Sequence, residues 1–566
     1  MKKILNYLFL IPITFWLFQC AKQTQPTGGP KDETPPKLIQ SNPPDRTINF
    51  QGNEIELLFD EPIQVNNPRE QLLATPAIGK KFEMTARKNK AVLKLNTVLL
   101  PNTTYTISFR ESIQDLSEKN SAQNLKIAFS TGSYIDSLSI SGNVFAILDG
   151  SPVKNYVVAA VIYNDTIDIF KHEASWITFT DEKGNFTLEN LKPEAYILYA
   201  FEDKNKNLIV DSKSELYGFI AETVKLDSSI KDIRIPVAKL DARPLKLISA
   251  KSLTAYFNIR FSKGLDRYTL TPSDSSQKII SIQEDPATIK VFNTIRSSDS
   301  IRVSLQAYDS INNQVDTAIY IKFEQRETPK DKFIAKSEEV KFYQGKGLLE
   351  TTLTFSKPIV SYSIDSIFIQ LDSSNFIRIL PSEISWEQNY TVATIKKNIP
   401  KEITFTKPQT TTTPGSGGRR TNQNENNAPK KKTVFNQLII PKGTFISVES
   451  DSNQYSQISI NTLTNENTGI LSIQIVSKNQ TITEVLSSKK TEQQSTDKKI
   501  SFDYLLPAEY RVRTIIDLNN NGRWDPGNFY KRIPPEPILY YLNEKGQMSI
   551  QLKANWEIGP LLITDE

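Results

Sequence analysis

The fold is decided by residues 510–525, Tyr-Arg-Val-Arg-Thr-Ile-Ile-Asp-Leu-Asn-Asn-Asn-Gly-Arg-Trp-Asp. Residues 196–211 are a second copy of this segment, Tyr-Ile-Leu-Tyr-Ala-Phe-Glu-Asp-Lys-Asn-Lys-Asn-Leu-Ile-Val-Asp. In each copy a proline stands three residues before the tyrosine, an apolar strand follows, and oxygen-bearing side chains then alternate along a loop. A duplicated β unit of this kind is typical of a modular binding or scaffold protein rather than of an enzyme.

Length and composition predict several β domains. A chain of 566 residues is too long for one core, because domains usually span about 100–200 residues. The 28 Phe and 21 Tyr against 3 Met favour strands. The net charge of +5 is small for this length, so no nucleic-acid partner is expected. The single cysteine, Cys20, and single histidine, His172, exclude intrachain disulfides, zinc fingers and Cys-His dyads.

The N-terminus has the layout of an export signal. Lys2 and Lys3 precede an apolar run, residues 4–18, that is shorter than the roughly 18 residues of a spanning helix. Residues 17–20, Leu-Phe-Gln-Cys, resemble the lipobox of bacterial lipoproteins. The resemblance implies a signal peptide at 1–19 and a covalent lipid on Cys20, which would attach the chain to a membrane. An uncleaved signal anchor is the alternative.

The residues after the cysteine predict the membrane, and the face of it, at which the lipoprotein resides. Ala21 is not the aspartate that retains similar lipoproteins in the inner membrane, so an outer-membrane lipoprotein is expected. Residues 22–24 lack the acidic cluster that carries some lipoproteins to the cell surface, which favours the periplasmic face. Residues 20–35, rich in Pro and Gly, are expected to form an extended tether.

The first domain resembles a known family. Ile55, Leu57 and Phe59 alternate with other residues until Asp-Glu-Pro-Ile at 60–63 breaks the strand, which completes the segment Phe-Asp-Glu-Pro-Ile at 59–63. Apolar residues also alternate in Tyr-Thr-Ile-Ser-Phe at 105–109. These segments resemble the bacterial Ig-like domain of the S-layer type, which implies a β-sandwich over 36–132. Asp60, Glu61 and Asp115 could form an acid pair for chemistry, but turn carboxylates that accept backbone N–H groups are the expected role.

Two segments that resemble this strand more weakly predict two more Ig-like sandwiches. Phe-Asn-Ile-Arg-Phe-Ser-Lys-Gly at 257–264 places one at 241–326, and Leu-Thr-Phe-Ser-Lys-Pro-Ile at 353–359 places another at 327–463. Residues 407–433 have no apolar periodicity, so a disordered insertion is expected there. Its Arg and Lys residues could contact anionic lipid or polysaccharide; a solvated loop is the alternative.

The duplicated unit resembles a second family. The Gly-Asn-Phe-Thr-Leu segment at 184–188 and the Leu-Lys-Pro-Glu-Ala-Tyr corner at 191–196 resemble the carboxypeptidase-regulatory or prealbumin-like sandwich. The two copies are expected at 133–240 and 464–566. Such modules serve as stalks, spacers or adhesive units.

The alternating loops are candidate calcium sites. Ca²⁺ takes six to eight oxygen ligands, and Asp-x-Asn-x-Asn places three on alternate positions of a tight loop. Gly522 permits a left-handed turn, whereas the first copy has Leu208 there. The twelfth positions, Ser214 and Asn528, exclude an EF-hand. The alternative is an Asx-turn loop satisfied by its own backbone. The predicted ligands are Asp203, Asn205, Asn207, Asp211, Asp517, Asn519, Asn521 and Asp525.

Together these features predict an all-β chain, a string of Ig-like and prealbumin-like β-sandwiches after a lipoprotein signal peptide. We expect a non-enzymatic outer-membrane lipoprotein that acts as a scaffold, spacer or adhesive protein and binds an envelope protein or glycan. The alternative is an accessory subunit of a secretion or uptake machine that docks on a membrane barrel. A carboxylate-based glycosidase is a third class: the sequence has no GxSxG, HExxH, P-loop or dinucleotide-binding motif, but a pair of catalytic carboxylates leaves no such motif.

Overall fold

The computed structural model describes residues 32–565 except 254, 295–298, 324–328, 373, 401–402, 404, 406–435 and 489. The expectations for the signal peptide, Cys20 and the 407–433 insertion therefore lie outside the described residues. Within them the all-β prediction is confirmed, because strands form five successive β-sandwiches along the chain. The one α-helix of the described residues is the four-residue α1.

The first sandwich has a four-stranded sheet, a three-stranded sheet and a short strand pair around one core. Its inward residues alternate as the sequence predicts, with Ile55, Leu57 and Phe59 buried on one strand. The sheet orders are β1-β2-β6-β5, β4-β7-β9 and β3-β8. The elements are β1 (Leu38–Asn42), β2 (Glu54–Phe59), β3 (Ile63–Val65), α1 (Pro68–Gln71), β4 (Leu73–Thr75), β5 (Phe82–Arg87), β6 (Lys90–Leu95), β7 (Thr104–Ser108), β8 (Ile113–Asp115) and β9 (Lys126–Ser130).

The second sandwich packs sheet β13-β10-β17 on sheet β12-β11-β14-β15, with β16 also paired to β14. Strands β10 and β17 are parallel, and the other pairs are antiparallel. The strands are β10 (Leu138–Ala146), β11 (Val157–Ile162), β12 (Trp176–Phe179), β13 (Asn185–Leu191), β14 (Ala195–Phe201), β15 (Tyr217–Phe219), β16 (Val224–Lys225) and β17 (Ile230–Val237).

The third sandwich packs sheet β18-β19-β22-β21 on sheet β20-β23-β24. Its strands are β18 (Leu247–Leu253), β19 (Tyr256–Phe261), β20 (Arg267–Pro272), β21 (Ser281–Asp285), β22 (Thr288–Phe292), β23 (Ile301–Tyr308) and β24 (Gln314–Ile321).

The fourth sandwich builds one core from a nine-stranded sheet and the pair β28-β34. The larger sheet runs β30-β29-β33-β35-β26-β27-β32-β31, and β25 also pairs with β27. The strands are β25 (Ala335–Ser337), β26 (Val340–Tyr343), β27 (Leu348–Phe355), β28 (Ile359–Tyr362), β29 (Phe368–Gln370), β30 (Phe376–Arg378), β31 (Ile384–Glu387), β32 (Val392–Asn398), β33 (Gln437–Ile440), β34 (Phe445–Ser447) and β35 (Ser456–Leu463). Short 3₁₀ turns occupy Gln344–Lys346, Ile364–Ser366 and Pro381–Glu383.

The fifth sandwich repeats the second strand for strand. Sheet β39-β36-β43, with β36 and β43 parallel, faces β38-β37-β40-β41, and β42 pairs with β40. Tyr196 and Tyr510 each donate to the carbonyl four residues earlier, at Lys192 and Leu506. The repeat predicted from the sequence is therefore confirmed. Its strands are β36 (Gly469–Val476), β37 (Gln480–Ser487), β38 (Lys490–Ser495), β39 (Lys499–Leu505), β40 (Ala508–Asp517), β41 (Ile538–Tyr540), β42 (Ile550–Leu552) and β43 (Glu557–Thr564).

Strands β11 and β14 are buried on both faces, which explains their unbroken apolar sequences. Alternate residues such as Val158 and Leu198 enter the core of their own sandwich. The residues between them, such as Ala159 and Ile197, enter a second cluster that includes Phe529 of the fifth sandwich. The second sandwich thus uses the outer face of its larger sheet to contact the fifth.

Candidate functional site: the paired oxygen-rich loops

The two loops occupy the same place in the two repeats. Residues 203–211 follow β14, and Asp517 ends β40 and opens the loop 517–525. Each loop lies between the central strand of the larger sheet and the next strand of that sheet, β15 or β41. The strand–loop repeat in the sequence therefore corresponds to one repeated site in the structure.

In the fifth sandwich the first aspartate organises the loop. Asp517 is buried, and its Oδ1 and Oδ2 accept the backbone N–H groups of Asn521 at 3.0 Å and Gly522 at 2.8 Å. Gly522 has φ of +79°, the left-handed conformation that the sequence predicts for it. The loop is a series of Asx turns closed on its first carboxylate.

The other three predicted residues also meet in this loop. Asn519 Oδ1 accepts the N–H of Asn521 at 3.1 Å, and Asn521 Oδ1 accepts that of Arg523 at 3.0 Å. The side-chain amides of Asn519 and Asn521 both donate to Asp525 Oδ2, the second at 2.7 Å. The structure therefore brings all four residues together.

The first copy is similar at its start and different at its end. Asp203 accepts the N–H groups of Asn207 and Leu208, both at 3.1 Å, and Leu208 has φ of +59° in place of a glycine. Asn205 Oδ1 accepts the N–H of Asn207 at 3.1 Å. Asp211, however, accepts from Ser214 Oγ at 2.6 Å and not from the asparagine amides. Only three of the four predicted residues share a network in this copy.

Each loop is closed by a buried glutamate that sequence reasoning missed. Glu215 accepts the N–H of Lys204 at 3.0 Å and of Asp211 at 2.8 Å. Glu536 accepts the N–H of Leu518 at 2.8 Å and of Asp525 at 2.9 Å, so the two glutamates are equivalent. They lie four and eleven residues after the last aspartate, which hides the match in the sequence. Their position two residues before β15 and β41 is the signal that could have found them.

The surroundings perturb both glutamates in the same direction. Burial raises the pKa of Glu215 and of Glu536, and the nearby loop aspartates raise it further, while the backbone donors oppose the shift. Glu215 is fully buried and Glu536 is 4% exposed. Each loop therefore contains a buried carboxylate that protonation or a nearby positive charge would stabilise.

The donor set is compatible with a hard cation, although its present arrangement is that of turns. All the candidate ligands of the 517–525 loop are oxygens, as Ca²⁺ requires. Within the described ranges, no group of three or more His, Cys, Asp or Glu side chains converges closely enough to hold a metal ion. The Asn519 and Asn521 amide nitrogens, rather than their oxygens, face Asp525. Binding a cation between these side chains requires those two amides to leave Asp525.

The fifth-sandwich loop also contacts other sandwiches. Arg523 pairs with Asp266 of the third sandwich, and Asn528 Nδ2 donates to Ile311 O at 3.1 Å. Trp524 packs into the cluster shared by the second and fifth sandwiches, and its Nε1 donates to Glu536 O at 2.9 Å. The tryptophan thus packs at its own hairpin and does not form an exposed platform.

The acidic residues of the first sandwich act as turn residues. Asp115 Oδ1 accepts the N–H groups of Glu118 at 2.7 Å and Lys119 at 2.8 Å, and Asp60 accepts that of Lys37 at 2.8 Å. Burial raises the pKa of Glu61, and the neighbouring Asp115 adds to that effect. The structural role predicted for Asp60 and Asp115 is confirmed.

The sequence echoes have a structural meaning in the next Ig-like sandwiches. Lys263 and Lys357 occupy the position of Glu61 in the repeated segment, and both are buried. Lys263 pairs with Asp309 at 2.5 Å, and Lys357 pairs with Glu449 at 2.6 Å. The echo therefore corresponds to a buried ion pair in the third and fourth sandwiches.

Comparison with known proteins identifies the first domain. Residues 32–131 match the family model of the bacterial Ig-like domain. The comparison with curated proteins finds no match. Similar solved structures include a streptococcal ancillary pilin, 12% identical over 44% of this chain and 78% of the pilin, TM-score 0.14. BcpA, the major pilin subunit of Bacillus cereus, is 9% identical over 76% of this chain and 99% of BcpA, TM-score 0.13.

A third similar structure is the SGBP-B protein of a Bacteroides ovatus mixed-linkage glucan utilization locus, in complex with a heptasaccharide. It is 8% identical over 74% of this chain and 91% of its own, with a TM-score of 0.13. Among the described residues, none of the helices has the length and apolarity to cross a bilayer. Bacterial Ig-like domains are typically non-catalytic modules of extracellular or envelope proteins. Residues 32–131 are thus a bacterial Ig-like domain that opens a string of β-sandwiches.

Proposed function

We propose that this protein is a non-enzymatic, lipid-anchored scaffold of the outer membrane that presents its sandwiches as one firmly packed body. The observation that carries the proposal is the hydrophobic cluster shared by the second and fifth sandwiches. It joins Ile147, Tyr199 and Phe219 of the second to Ile515 and Phe529 of the fifth, all nearly fully buried. A spacer whose domains move independently would not share a hydrophobic cluster between two of them.

Aromatic packing gives this cluster a defined geometry. Phe529 lies edge-on to Phe219 at 5.3 Å and to Phe170 at 5.5 Å between ring centroids. Edge-to-face pairs contribute about 0.5–1.5 kcal/mol beyond burial and fix relative orientation. The two sandwiches are therefore oriented by packing as well as joined through the intervening chain.

Further contacts close the later sandwiches into a ring. Tyr256 of the third donates to Glu449 of the fourth at 3.1 Å, and Lys346 of the fourth pairs with Asp503 of the fifth at 3.3 Å. The fifth then returns to the second through Phe529. Because Arg523 of the fifth also pairs with Asp266 of the third, the third, fourth and fifth sandwiches each contact two others, and bending at a single linker is opposed by contacts elsewhere.

The anchor is the part of the proposal that places the scaffold. A lipidated Cys20 would hold the chain at the outer membrane, on its periplasmic face, and residues 20–35 would set the distance to the bilayer. Since one acyl chain binds only weakly, stable anchoring rests on several chains per cysteine. The body would then offer its surfaces to an envelope protein or glycan.

The calcium proposal concerns the two loops. Asp517, Asn519, Asn521 and Asp525 would hold Ca²⁺ in the fifth sandwich, and the equivalent residues of 203–211 would do so more weakly in the second. The support is the all-oxygen donor set together with the buried glutamate behind each loop. A bound cation would offset the negative charge of the loop aspartates, which raises the pKa of the buried glutamate.

Metabolic labelling with a palmitate analogue, combined with membrane fractionation, tests the anchor. Wild-type protein should be labelled and found in the outer membrane, and Cys20→Ala should lose both. Capture from solubilised membranes tests the scaffold role. A membrane barrel recovered in equimolar amount would instead support an accessory subunit of a transport machine.

A further inference from the structure

A cleft of about 670 Å³ separates the first and second sandwiches and is a second candidate site. Its walls come from α1 and β4 of the first sandwich, from β12 of the second, and from the loop 203–209. The volume is within the range of about 300–1,000 Å³ that small-molecule sites occupy. The two sandwiches are fixed around it, since Thr75 Oγ1 donates to Ile177 O at 3.1 Å and Ala77 N–H to Ser175 O at 2.7 Å.

Arg110 supplies an unpaired positive charge to this cleft. Its guanidinium lies 4.4 Å from the centre of the Phe179 ring, across the boundary between the sandwiches. In the described part of the chain it makes no hydrogen bond and no ion pair, and the side chain is half-buried. Burial lowers the pKa of Arg110, and only the neighbouring Glu111 opposes that shift. A half-buried cation without a counter-ion is costly unless a ligand provides one.

The backbone holds Arg110 at this position. The residue has φ of +45°, in the left-handed region that residues other than glycine rarely adopt. It directly follows the buried Phe109, and Ser112 N–H donates to Phe109 O at 2.8 Å, closing the turn. The turn therefore directs the side chain towards Phe179 and away from open solvent.

The charged lining residues, four cations and three anions, leave the cleft with an excess of one positive charge. Glu70 is neutralised by Lys206 at 2.6 Å, and Asp203 is engaged by its own loop backbone. Glu173 is an exposed anion of the lining, whereas Arg69 and Lys80 add positive charge at the rim. An anionic group entering the cleft would therefore meet Arg110 with favourable charges around it.

Uncharged groups of the lining indicate the rest of the ligand. Carboxamides, which donate and accept hydrogen bonds as hydroxyl groups require, line it at Gln71, Asn155, Asn205 and Asn207. Apolar surface is supplied by Leu73 and Phe179. This mixture matches a sugar ring, which has hydroxyls at its edge and C–H groups on its faces.

We propose that this cleft binds an acidic saccharide, one or two sugar rings carrying a carboxylate or phosphate group that pairs with Arg110. Bidentate pairing with an oxyanion is the interaction for which a guanidinium is best suited. The proposal goes beyond the scaffold function and does not depend on the lipid anchor; it shares Asn205 and Asn207 with the proposed calcium loop, so binding is measured in the presence of chelator.

The test measures binding to the full-length chain purified in detergent. Glucuronate, glucose 6-phosphate and glucose are titrated by ligand-observed NMR and calorimetry. At least one of the two anions should bind, and glucose should bind about tenfold more weakly or not at all. Preference for glucuronate or for the phosphate ester tells which oxyanion the cleft takes, and the absence of binding by both overturns the proposal.

Two matched pairs of variants locate the site. Arg110→Gln should weaken binding about tenfold or more. Arg234→Gln, which removes an exposed arginine stacked on Phe145, should leave binding unchanged. If Arg110→Gln fails to fold, two variants at exposed lysines test the site instead. Lys80→Glu, at the rim of the cleft, should weaken binding several-fold, whereas Lys81→Glu, outside the cleft, should not. Equal affinities within both pairs would disprove the assignment.

Discussion

The hydroxyl of Tyr540 donates a hydrogen bond to the carbonyl oxygen of Ile147 at 2.8 Å, although the two residues are 393 positions apart. Beside it, Arg513 donates to Leu148 O at 2.5 Å and pairs with Glu484. These polar contacts border the hydrophobic cluster that joins the second and fifth sandwiches. The chain therefore returns on itself, and its last sandwich stabilises an early one.

Phe529→Ala should weaken the packing of the fifth sandwich on the second. The residue is 3% exposed, and such truncations cost about 3–5 kcal/mol because they leave a cavity. The melting temperature should fall, and hydrogen exchange at residues 147–149 should accelerate. Phe376→Ala, at a position 53% exposed, is the control and should change neither. Unchanged melting and exchange for Phe529→Ala would contradict the packed arrangement.

Glu536→Gln should loosen the 517–525 loop at neutral pH. Glutamine has a single acceptor oxygen where Glu536 serves two backbone donors, Leu518 and Asp525. One buried N–H loses its partner, at a cost of about 1–3 kcal/mol. Hydrogen exchange of these two amides should accelerate relative to the wild type. Glu544→Gln, at an exposed position, should leave both amides protected.

The same glutamates predict a pH dependence. Burial raises the folded-state pKa of Glu215 and Glu536, so the folded chain binds these protons more tightly than the unfolded chain. Their contribution to stability falls as pH rises from the ordinary glutamate value of 4.5 through the raised folded value. The wild type should therefore gain more loop protection between pH 7 and 5 than Glu215→Gln/Glu536→Gln. Equal gains would contradict the raised pKa values.

Calcium bound to the loops should stabilise the folded chain. At a dissociation constant of about 10⁻⁴–10⁻³ M, 10 mM Ca²⁺ should add about 1.4–2.7 kcal/mol to the folded state. Melting with Ca²⁺ against chelator measures this. Asp517→Asn should abolish most of the difference, whereas Asp227→Asn, at an exposed position, should retain it. Superimposable melting curves for the wild type would leave the loops as Asx-turn structures.

Lys357→Met should destabilise the fourth sandwich. Lys357 is 1% exposed and pairs with Glu449 at 2.6 Å and Asp451 at 2.5 Å. Its removal leaves Glu449, 9% exposed, as an uncompensated buried charge, at a cost of about 3 kcal/mol. Urea denaturation should show an earlier transition, which Glu449→Gln added to the variant should partly reverse. Lys336→Met, at an exposed position, should leave the transition where it is.

The sequence by itself determined the all-β class, the Ig-like first domain and the repeat, because alternation, turn residues and duplicated segments are local properties of the chain. The sequence of β11 is apolar without alternation, which is typical of a strand buried on both faces. It could not indicate what covers the outer face. That choice depends on Phe529 and Tyr540, whose partners lie hundreds of positions earlier.

The candidate sites divide in the same way. The loop aspartates and asparagines were visible because their spacing repeats, whereas Glu215 and Glu536 were hidden by loops of different length. Arg110 and Phe179 belong to different sandwiches, and only the packing of those sandwiches places the guanidinium on the ring. Local pattern determined the strands and turns; the tertiary structure alone decided which buried faces, charges and clefts meet, because those contacts join residues far apart in the chain.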